Sequence, residues 1–199
     1  MTWYYKSVSF LPQHRNNEVL VGKCLKKLHG FCKKYKSTDI GVSFPDWAED
    51  TIGNRITFVS QDPMKLDFLL QQHYFQEMKT LGYFSITECM EVPKDCAYAS
   101  FRRNQEVDES TAKGQARKAR RRKARAFERG EDISIREELE KTTFIFEHYH
   151  SIRIFSKSKG REFPLNIQRE LEIPDVENSK FTSYGLSNKK DCQQSVPLI

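Results

Sequence analysis

The chain has 199 residues, of which 38% are hydrophobic and 30% charged. This length suits one large domain or two small ones that share a face, and 14 Phe, 8 Tyr and 2 Trp can build a core that disordered chains lack. No stretch approaches the roughly 20 consecutive apolar residues of a membrane span, and the first residues lack the pattern of a signal peptide. We therefore expect a cytoplasmic protein that does not contact a membrane.

The cysteines and histidines do not form a metal-binding or disulfide pattern. The five cysteines are an odd number without paired spacing, at Cys24, Cys32, Cys89, Cys96 and Cys192. His148 and His150 alternate, but no third ligand follows at a metal-like spacing. The sequence therefore predicts free thiols, no metal site and no cofactor.

The positive charge is concentrated in one segment. Lys and Arg number 33 against 27 Asp and Glu, which gives a net charge of +6 and by itself is weak evidence for a nucleic-acid partner. However, seven of the nine residues from Arg117 to Arg125 are basic, whereas the charged residues from Glu131 to Glu147 are mostly acidic. Clustering of this kind indicates a surface that binds nucleic acid.

The first half of the chain alternates strand and helix patterns. Strands are predicted at Thr2–Leu11, Ile40–Phe44, Arg55–Ser60 and Phe84–Val92; helices are predicted from Asn16 or Asn17 to about Tyr35, and from Pro63 to Gly82. The order strand, helix, strand, strand, helix, strand is the ferredoxin-like plan, which RNA-recognition modules also use. We predict an α+β protein whose residues 1–93 form this domain, with a seam at Pro93–Asp95.

The second half, residues 94–199, is predicted to be a smaller and less regular α/β region that binds RNA. An arginine-rich helix is expected over about residues 110–129, and a further helix over Ile133–Lys141. Short strands are predicted at Ala97–Arg103, Ile152–Ser156, Phe163–Gln168 and Phe181–Leu186, with a hairpin turn at 157–160.

The arginine-rich helix has a wide basic face and a narrow alanine face. Its basic arc covers about 200° on a helical wheel and contains Lys113, Arg117, Lys118, Arg120, Arg121, Arg122 and Arg125. An ordinary charged surface helix normally mixes both signs to form pairs one turn apart, so this pattern favours a helix lying in a groove between phosphates. Because side chains read the narrow major groove of A-form RNA poorly, such a helix supplies affinity rather than sequence choice.

His29 is the best single candidate for acid–base chemistry. It lies just outside the apolar arc of the first helix, near Gly22, and a histidine titrates near neutral pH. Taken alone it fits either a structural boundary residue or a general base. The sequence has no nucleophile elbow, P-loop or acidic two-metal cluster. RNA carries its own nucleophile in the ribose 2′-hydroxyl, so a histidine base and well-placed donors are sufficient to cleave it.

Five short segments, in order along nearly the whole chain, resemble the type I-F CRISPR-associated endoribonucleases of the Csy type, which cut repeat RNA into guide RNAs. They are Lys27–His29, Ile40–Pro45, Arg103–Gln105, Ser156–Phe163 and Phe181–Ser187. The Ser-Tyr-Gly-Leu-Ser ending is most similar to the versions encoded by CRISPR-carrying transposons.

The resemblance implies a set of catalytic roles. His29 is expected to act as the general base toward the 2′-hydroxyl upstream of the scissile phosphate. Ser156 is expected to hold that ribose, with Ser158 as the alternative on the same strand face, and Tyr184 to orient the histidine. The expected products are a 2′,3′-cyclic phosphate and a 5′-hydroxyl, formed without a metal ion.

The resemblance also implies RNA-reading roles. Arg103 and Gln105 are expected to read base edges near the bottom of the hairpin stem, with Arg102 as the alternative to its neighbour. Phe163 is expected to stack on the base pair that closes the stem.

The implied partners are the repeat hairpin, the mature guide RNA and the other subunits of the type I-F effector complex. The protein is expected to stay on its hairpin as the end subunit, with the guide-coating backbone protein in the same complex. A transposition adaptor protein is a further expected partner. The alternative from a different class is a non-catalytic RNA-hairpin-binding protein that serves a structural or assembly-platform role. Both alternatives bind a hairpin, but only the first cuts it.

Overall fold

The computed structural model describes residues 2–104, 107, 110–130, 148–156, 160–171, 180–187 and 194–199. Within these residues the protein has two antiparallel sheets and four helices. The strands are β1 Tyr4–Phe10, β2 Gly41–Ser43, β3 Arg55–Ser60, β4 Phe84–Ile86, β5 Met90–Glu91, β6 Tyr98–Arg103, β7 Tyr149–Ser156, β8 Arg161–Leu171 and β9 Val196–Pro197. The helices are α1 Asn17–Tyr35, α2 Pro63–Leu70, α3 His73–Thr80 and α4 Ala112–Glu128.

The first sheet confirms the predicted α+β ferredoxin-like fold. Its strands follow the order β2-β3-β1-β4, and each neighbouring pair is antiparallel. Helix α1 connects β1 to β2, while α2 and α3 connect β3 to β4. This is the split βαβ arrangement that the order of elements predicts.

Two predicted elements of this half are interrupted. The helix expected from Pro63 to Gly82 is divided into α2 and α3, because Gln72 adopts an extended backbone at φ −57° and ψ 140°. The strand expected over Phe84–Val92 ends at Ile86 and resumes as β5, whose two residues pair with Tyr4 and Tyr5 of β1.

The second sheet has the strand order β7-β8-β6-β9. Strands β7 and β8 form the predicted hairpin, with Ser156 opposite Arg161, and both are longer than the sequence indicates. Turn residues 157–159 and the helix predicted over Ile133–Lys141 lie outside the described residues.

The strand predicted over Phe181–Leu186 is wrong, because this segment is a turn. The backbone N–H of Gly185 donates to the carbonyl of Thr182, and Gly185 has a φ of +72° that a strand cannot contain. Phe181 and Leu186 are both buried in the core, so a turn with two buried apolar ends resembles a short strand in the sequence. We call residues 181–187 the site loop.

Both sheets contribute to one hydrophobic core, which contains Phe58 of β3 together with Phe101 of β6 and Ile152 of β7. Helix α1 lies against β7, where a Cβ on Gly22 would come within 2.9 Å of the carbonyl oxygen of Arg153. A side chain at position 22 would therefore push the helix away from the strand. The division into domains at residues 93 and 94 stays a prediction. Among the described helices, none is long and apolar enough to span a membrane.

Candidate functional site

His29 lies in the second half of α1, at the border between its buried and exposed faces. The helix begins where the Asn16 side chain accepts a hydrogen bond from the backbone N–H of Val19 at 2.9 Å. Its neighbour Leu28 is fully buried in the core, whereas the next residue, Gly30, is exposed. The buried face of the helix therefore fixes the backbone of His29 and leaves its imidazole half-buried at the edge.

The site loop is held between the two sheets by backbone hydrogen bonds. The N–H of Val42 in β2 donates to the carbonyl of Gly185 at 2.9 Å, and the N–H of Ser187 donates to Phe101 in β6 at 2.8 Å. A Cβ on Gly185 would clash with Val42 and come within 2.9 Å of Leu28. This loop is therefore packed tightly against the same helix that carries His29.

Two adjacent residues of the site loop contact the imidazole of His29. The Nδ1 atom forms a hydrogen bond with the Ser183 hydroxyl at 2.8 Å. The ring of Tyr184 stacks on the imidazole, with centroids 4.3 Å apart and planes 10° apart. The contacts restrict both the plane and the direction of the imidazole, and they leave Nε2 on the opposite edge from Ser183.

The surroundings of His29 favour its neutral form. Burial lowers the pKa of His29, and the positive charge of Lys33, one turn along the helix, lowers it further. The pKa of the imidazole thus lies below its ordinary value, so the ring is mostly neutral at pH 7 and can accept a proton.

The end of β7 reaches the same part of α1. Gly22 packs on Arg153, and the Lys26 ammonium lies 5.1 Å from the centre of the Phe155 ring. His29 is on the same helix face one turn beyond Lys26, and Ser156 is one residue beyond Phe155. The helix and the strand therefore run in the same direction along their contact, which ends near His29 on α1 and near Ser156 on β7. Ser156 is half-buried and shares the strand face of the buried Ile154.

Two residues with expected roles are not covered by the structure: Ser158, the alternative to Ser156, and Gln105, the expected base-reading partner of Arg103. Ser158 and Gln105 lie outside the described residues. Their predicted roles therefore stay predictions.

Arg102 and Arg103, at the end of β6, occupy different environments. Arg102 forms an ion pair with Glu170 of β8, and both side chains are 20% exposed. Arg103 is exposed. Burial raises the pKa of Tyr184, and the positive charge of Arg103 partly offsets this effect. Of the two residues, Arg103 is the more exposed.

Helix α4 presents its cations to solvent. Thr111 caps its start by accepting a hydrogen bond from the N–H of Gly114 at 3.0 Å, and the helix runs to Glu128. Ala126 of the predicted alanine face is buried, but Ala116 is exposed. The predicted basic residues with described side chains are all exposed: Arg117, Arg120, Arg121, Arg122 and Arg125. Lys113 and Lys118 lie on the helix, and their side chains are not among those described.

The aromatic residues of the β7–β8 hairpin are exposed to different extents. Phe163, the predicted stacking residue, is half-buried, lies opposite Ile154 and packs partly against the core. Phe155 is 44% exposed, and sequence reasoning did not select it.

The described residues contain no group of three or more histidine, cysteine or acidic side chains that could hold a metal ion. The Nε2 atom of His150 is bonded to the carbonyl of Ala48 at 2.8 Å, and its ring packs on Trp47 at 4.3 Å. This histidine is therefore a structural contact between the two halves of the chain. Cys24, Cys32, Cys89 and Cys96 are all unpaired thiols.

Ser183 is the residue of this site that the sequence reasoning missed. It stands next to Tyr184 in a segment that was expected to be a strand, where neighbouring side chains point to opposite faces. The turn instead lets residues 183 and 184 contact the same imidazole. The glycine at 185, with its positive φ, is the sequence signal that could have indicated this turn.

A model of the family described as CRISPR-associated protein (Cas_Csy4) matches residues 5–198. The chain belongs to this family. Members of the Cas_Csy4 family process CRISPR RNA, which supports an endoribonuclease and an RNA-binding protein at the level of the family. The resemblance to Csy-type proteins that the five sequence segments indicate is thereby confirmed.

The other comparisons add little. No curated protein matches the chain. One solved structure, titled as a chlorite dismutase, is 9% identical over 88% of this chain and 81% of its own, with a TM-score of 0.26. A likeness at that level carries no argument about either the fold or the function.

Proposed function

We propose that this Cas_Csy4 family protein is a metal-independent endoribonuclease that cuts precursor CRISPR RNA at the 3′ base of the repeat hairpin. One observation carries the proposal: the imidazole of His29 is held by a hydrogen bond to Ser183 and by stacking on Tyr184, on the helix face that meets the end of β7. The lowered pKa of this imidazole favours its neutral form. A base of fixed direction beside a strand that ends in Ser156 suits in-line attack by a ribose hydroxyl.

In this mechanism Nε2 of His29 takes the proton from the 2′-hydroxyl upstream of the scissile phosphate. The 2′-oxygen forms a bond to phosphorus, the bond from phosphorus to the 5′-oxygen breaks, and the leaving oxygen takes up a proton from the imidazolium or from water. The products are a 2′,3′-cyclic phosphate and a 5′-hydroxyl. Ser156 holds the attacking ribose, and Tyr184 keeps the imidazole in the plane that it needs.

Binding is assigned to other parts of the chain. The exposed arginines of α4 contact the phosphates of the stem, which suits a helix whose residues from Ala112 to Phe127 include no Asp or Glu. Arg103 reads a base edge together with Gln105, and the accessible part of the Phe163 ring stacks on the closing base pair.

The resemblance to type I-F enzymes supports a role after cleavage as well. The protein keeps its hairpin and forms the end subunit of the effector complex that contains the guide-coating backbone protein. A transposition adaptor is a further partner for versions encoded by CRISPR-carrying transposons. Purification of the complex from cells expressing all of its subunits tests this part of the proposal.

The decisive experiment incubates the purified protein with a panel of labelled repeat hairpins in EDTA. A matched RNA carries a 2′-deoxy residue upstream of the scissile phosphate. We expect cleavage at the 3′ base of the stem with the ribose substrate and none with the deoxy substrate. Tight binding with no cut in any hairpin would instead favour the non-catalytic assembly platform.

A further inference from the structure

The contact between Ser183 and His29 has a specific chemical consequence, because the two imidazole nitrogens are distinct. A neutral histidine carries one proton, and the hydrogen bond made by one nitrogen decides which nitrogen keeps it. Nδ1 lies 2.8 Å from the Ser183 hydroxyl. Whether this hydroxyl donates to Nδ1 or accepts from Nδ1–H therefore determines whether Nε2 can accept a proton.

We infer that Ser183 is a positioning residue that accepts a hydrogen bond from Nδ1–H of His29 and so keeps Nε2 unprotonated for the reaction. This inference rests on the proposed function, in which Nε2 is the base. It adds a residue that neither the sequence pattern nor the family match assigns to the reaction.

The direction of the hydrogen bond follows from the catalytic cycle. When Nε2 takes a proton, both nitrogens of the imidazolium must donate, and a hydroxyl that already accepts from Nδ1–H keeps its bond unchanged. A hydroxyl that donated to Nδ1 would have to rotate in every cycle, and it would place the proton of the neutral ring on Nε2. Only the accepting serine leaves the base competent throughout the cycle.

The position of Ser183 is held independently of its side chain. The N–H of Phe181 donates to Thr38 at 2.6 Å, the N–H of Thr182 donates to Leu186 at 2.8 Å, and Gly185 packs on Leu28. The hydroxyl is therefore presented to the imidazole by a backbone that other contacts hold, so removal of Oγ leaves the site loop in place. This arrangement is the preorganisation that lets one hydrogen bond select one state of a ring.

The two contacts divide the positioning between them. Stacking by Tyr184 fixes the plane of the ring but does not select which nitrogen faces the substrate, because a flipped imidazole stacks equally well. The hydrogen bond from Nδ1 to Ser183 removes this ambiguity. Among the described residues, the charges that act on the pKa of His29 and of Tyr184 are those of Lys33 in α1 and Arg103 at the end of β6. Both are cations, so neither can accept a hydrogen bond from Nδ1 in place of Ser183.

The test reads the state of the ring directly, in the protein without RNA. Nitrogen-15 NMR of the imidazoles distinguishes the two neutral tautomers, and the His29→Ala spectrum assigns the signal. We expect the Nδ1–H tautomer in the native protein and in Ser183→Thr, which keeps the hydroxyl, and a shift toward the Nε2–H tautomer in Ser183→Ala. An Nε2–H tautomer in the native protein would overturn the inference, whether or not any RNA is cut.

Single-turnover cleavage supplies the functional readout. Ser183→Ala should cut about tenfold more slowly, the value of about one hydrogen bond, with hairpin affinity unchanged and with the rate restored in Ser183→Thr. Ser183→Asp should raise the pKa of His29, because a carboxylate stabilises the imidazolium, and so move the acidic limb of the rate profile to higher pH.

Thr182→Ala is the matched control, because Thr182 Oγ1 accepts from the N–H of Leu186 at 3.1 Å and so serves the loop rather than the imidazole. It should leave the tautomer of His29 unchanged. An equal tautomer shift in Thr182→Ala and Ser183→Ala would overturn the inference, because the effect would then belong to the loop as a whole. If native protein binds hairpins without cutting them while its tautomer responds to Ser183 as expected, the proposed function fails and the positioning contact stands.

Discussion

Helices α1 and α4 both carry many basic residues, but they meet the rest of the protein in opposite ways. Helix α1 buries seven residues in the shared core, and its one histidine is held by two side chains of the site loop. On α4 the described arginines are exposed and Ala126 is one of the few buried side chains. Chemistry at a phosphate needs a fixed direction, which packing provides, whereas affinity for phosphates needs accessible charge. The comparison implies that cleavage and binding can be changed separately.

The largest expected effect comes from the histidine itself. His29→Ala should reduce single-turnover cleavage by at least about 10²-fold, the usual contribution of a general base. Hairpin affinity should stay within a few-fold, because α4 is untouched. His73→Ala, at a side chain that is 90% exposed on α3, is the control and should cut normally. Normal cleavage by His29→Ala would remove this residue from the mechanism.

The second prediction concerns the packing that holds the site loop against α1. Gly185→Ala should lower the free energy of unfolding by about 2–4 kcal/mol, since the new Cβ meets Val42 and Leu28 and the residue must keep a positive φ. The cleavage rate should also fall, because the contacts of Ser183 and Tyr184 to His29 are displaced.

Gly82→Ala is the matched control for that substitution. Gly82 has a φ of +73° but no heavy atom within 4 Å of its Cβ position, so only the backbone strain of about 1–2 kcal/mol applies. Denaturant unfolding of both variants measures the difference. Equal losses would mean that packing at Gly185 contributes nothing.

The third prediction tests α4 as the binding element. Arg117→Ala combined with Arg121→Ala should weaken hairpin binding and reduce the log–log salt slope by about 2, because each arginine neutralises one phosphate. The cleavage rate of RNA that is already bound should change little. Lys79→Ala combined with Lys94→Ala removes the same charge from exposed positions elsewhere and should leave the slope unchanged. An unchanged slope in the arginine variant would show that α4 does not contact phosphate.

The smallest expected effect is a shift in pH dependence. Neutral His29 is the reactive form, so the cleavage rate should rise with pH as the imidazole loses its proton, and the lowered pKa places this rise below the ordinary histidine range. Lys33→Gln removes a positive charge that disfavours the imidazolium, so the pKa should rise and the acidic limb should move to higher pH.

The change in pKa on Lys33→Gln should be small, because burial lowers the pKa of His29 more than the charge of Lys33 does. Added salt should screen the effect of Lys33 on this pKa in the native protein. Lys34→Gln changes the adjacent lysine, whose ammonium lies over the Tyr35 ring, and serves as the control. A profile that moves equally in both variants would point to general surface charge rather than to Lys33.

Sequence reasoning succeeded where the physics is local. The bounds of α1, its cap and the half-buried position of His29 follow from side chains within a few residues of one another. The same holds for β3, which spans the predicted Arg55–Ser60. It failed at the site loop, because the aromatic and aliphatic residues Phe181, Tyr184 and Leu186 suggest a strand but belong to a turn whose two ends are buried.

The sequence by itself determined the ferredoxin-like order of elements, the basic helix and the family, since each depends on local patterns or on short motifs in a fixed order. Only the tertiary structure decided that Ser183, 154 residues away along the chain, is the hydrogen-bond partner of His29. The reason is that Gly185 can indicate a turn, but the place of that turn beside His29 depends on its fit against Val42 and Leu28, and contacts between such distant segments cannot be read from local sequence.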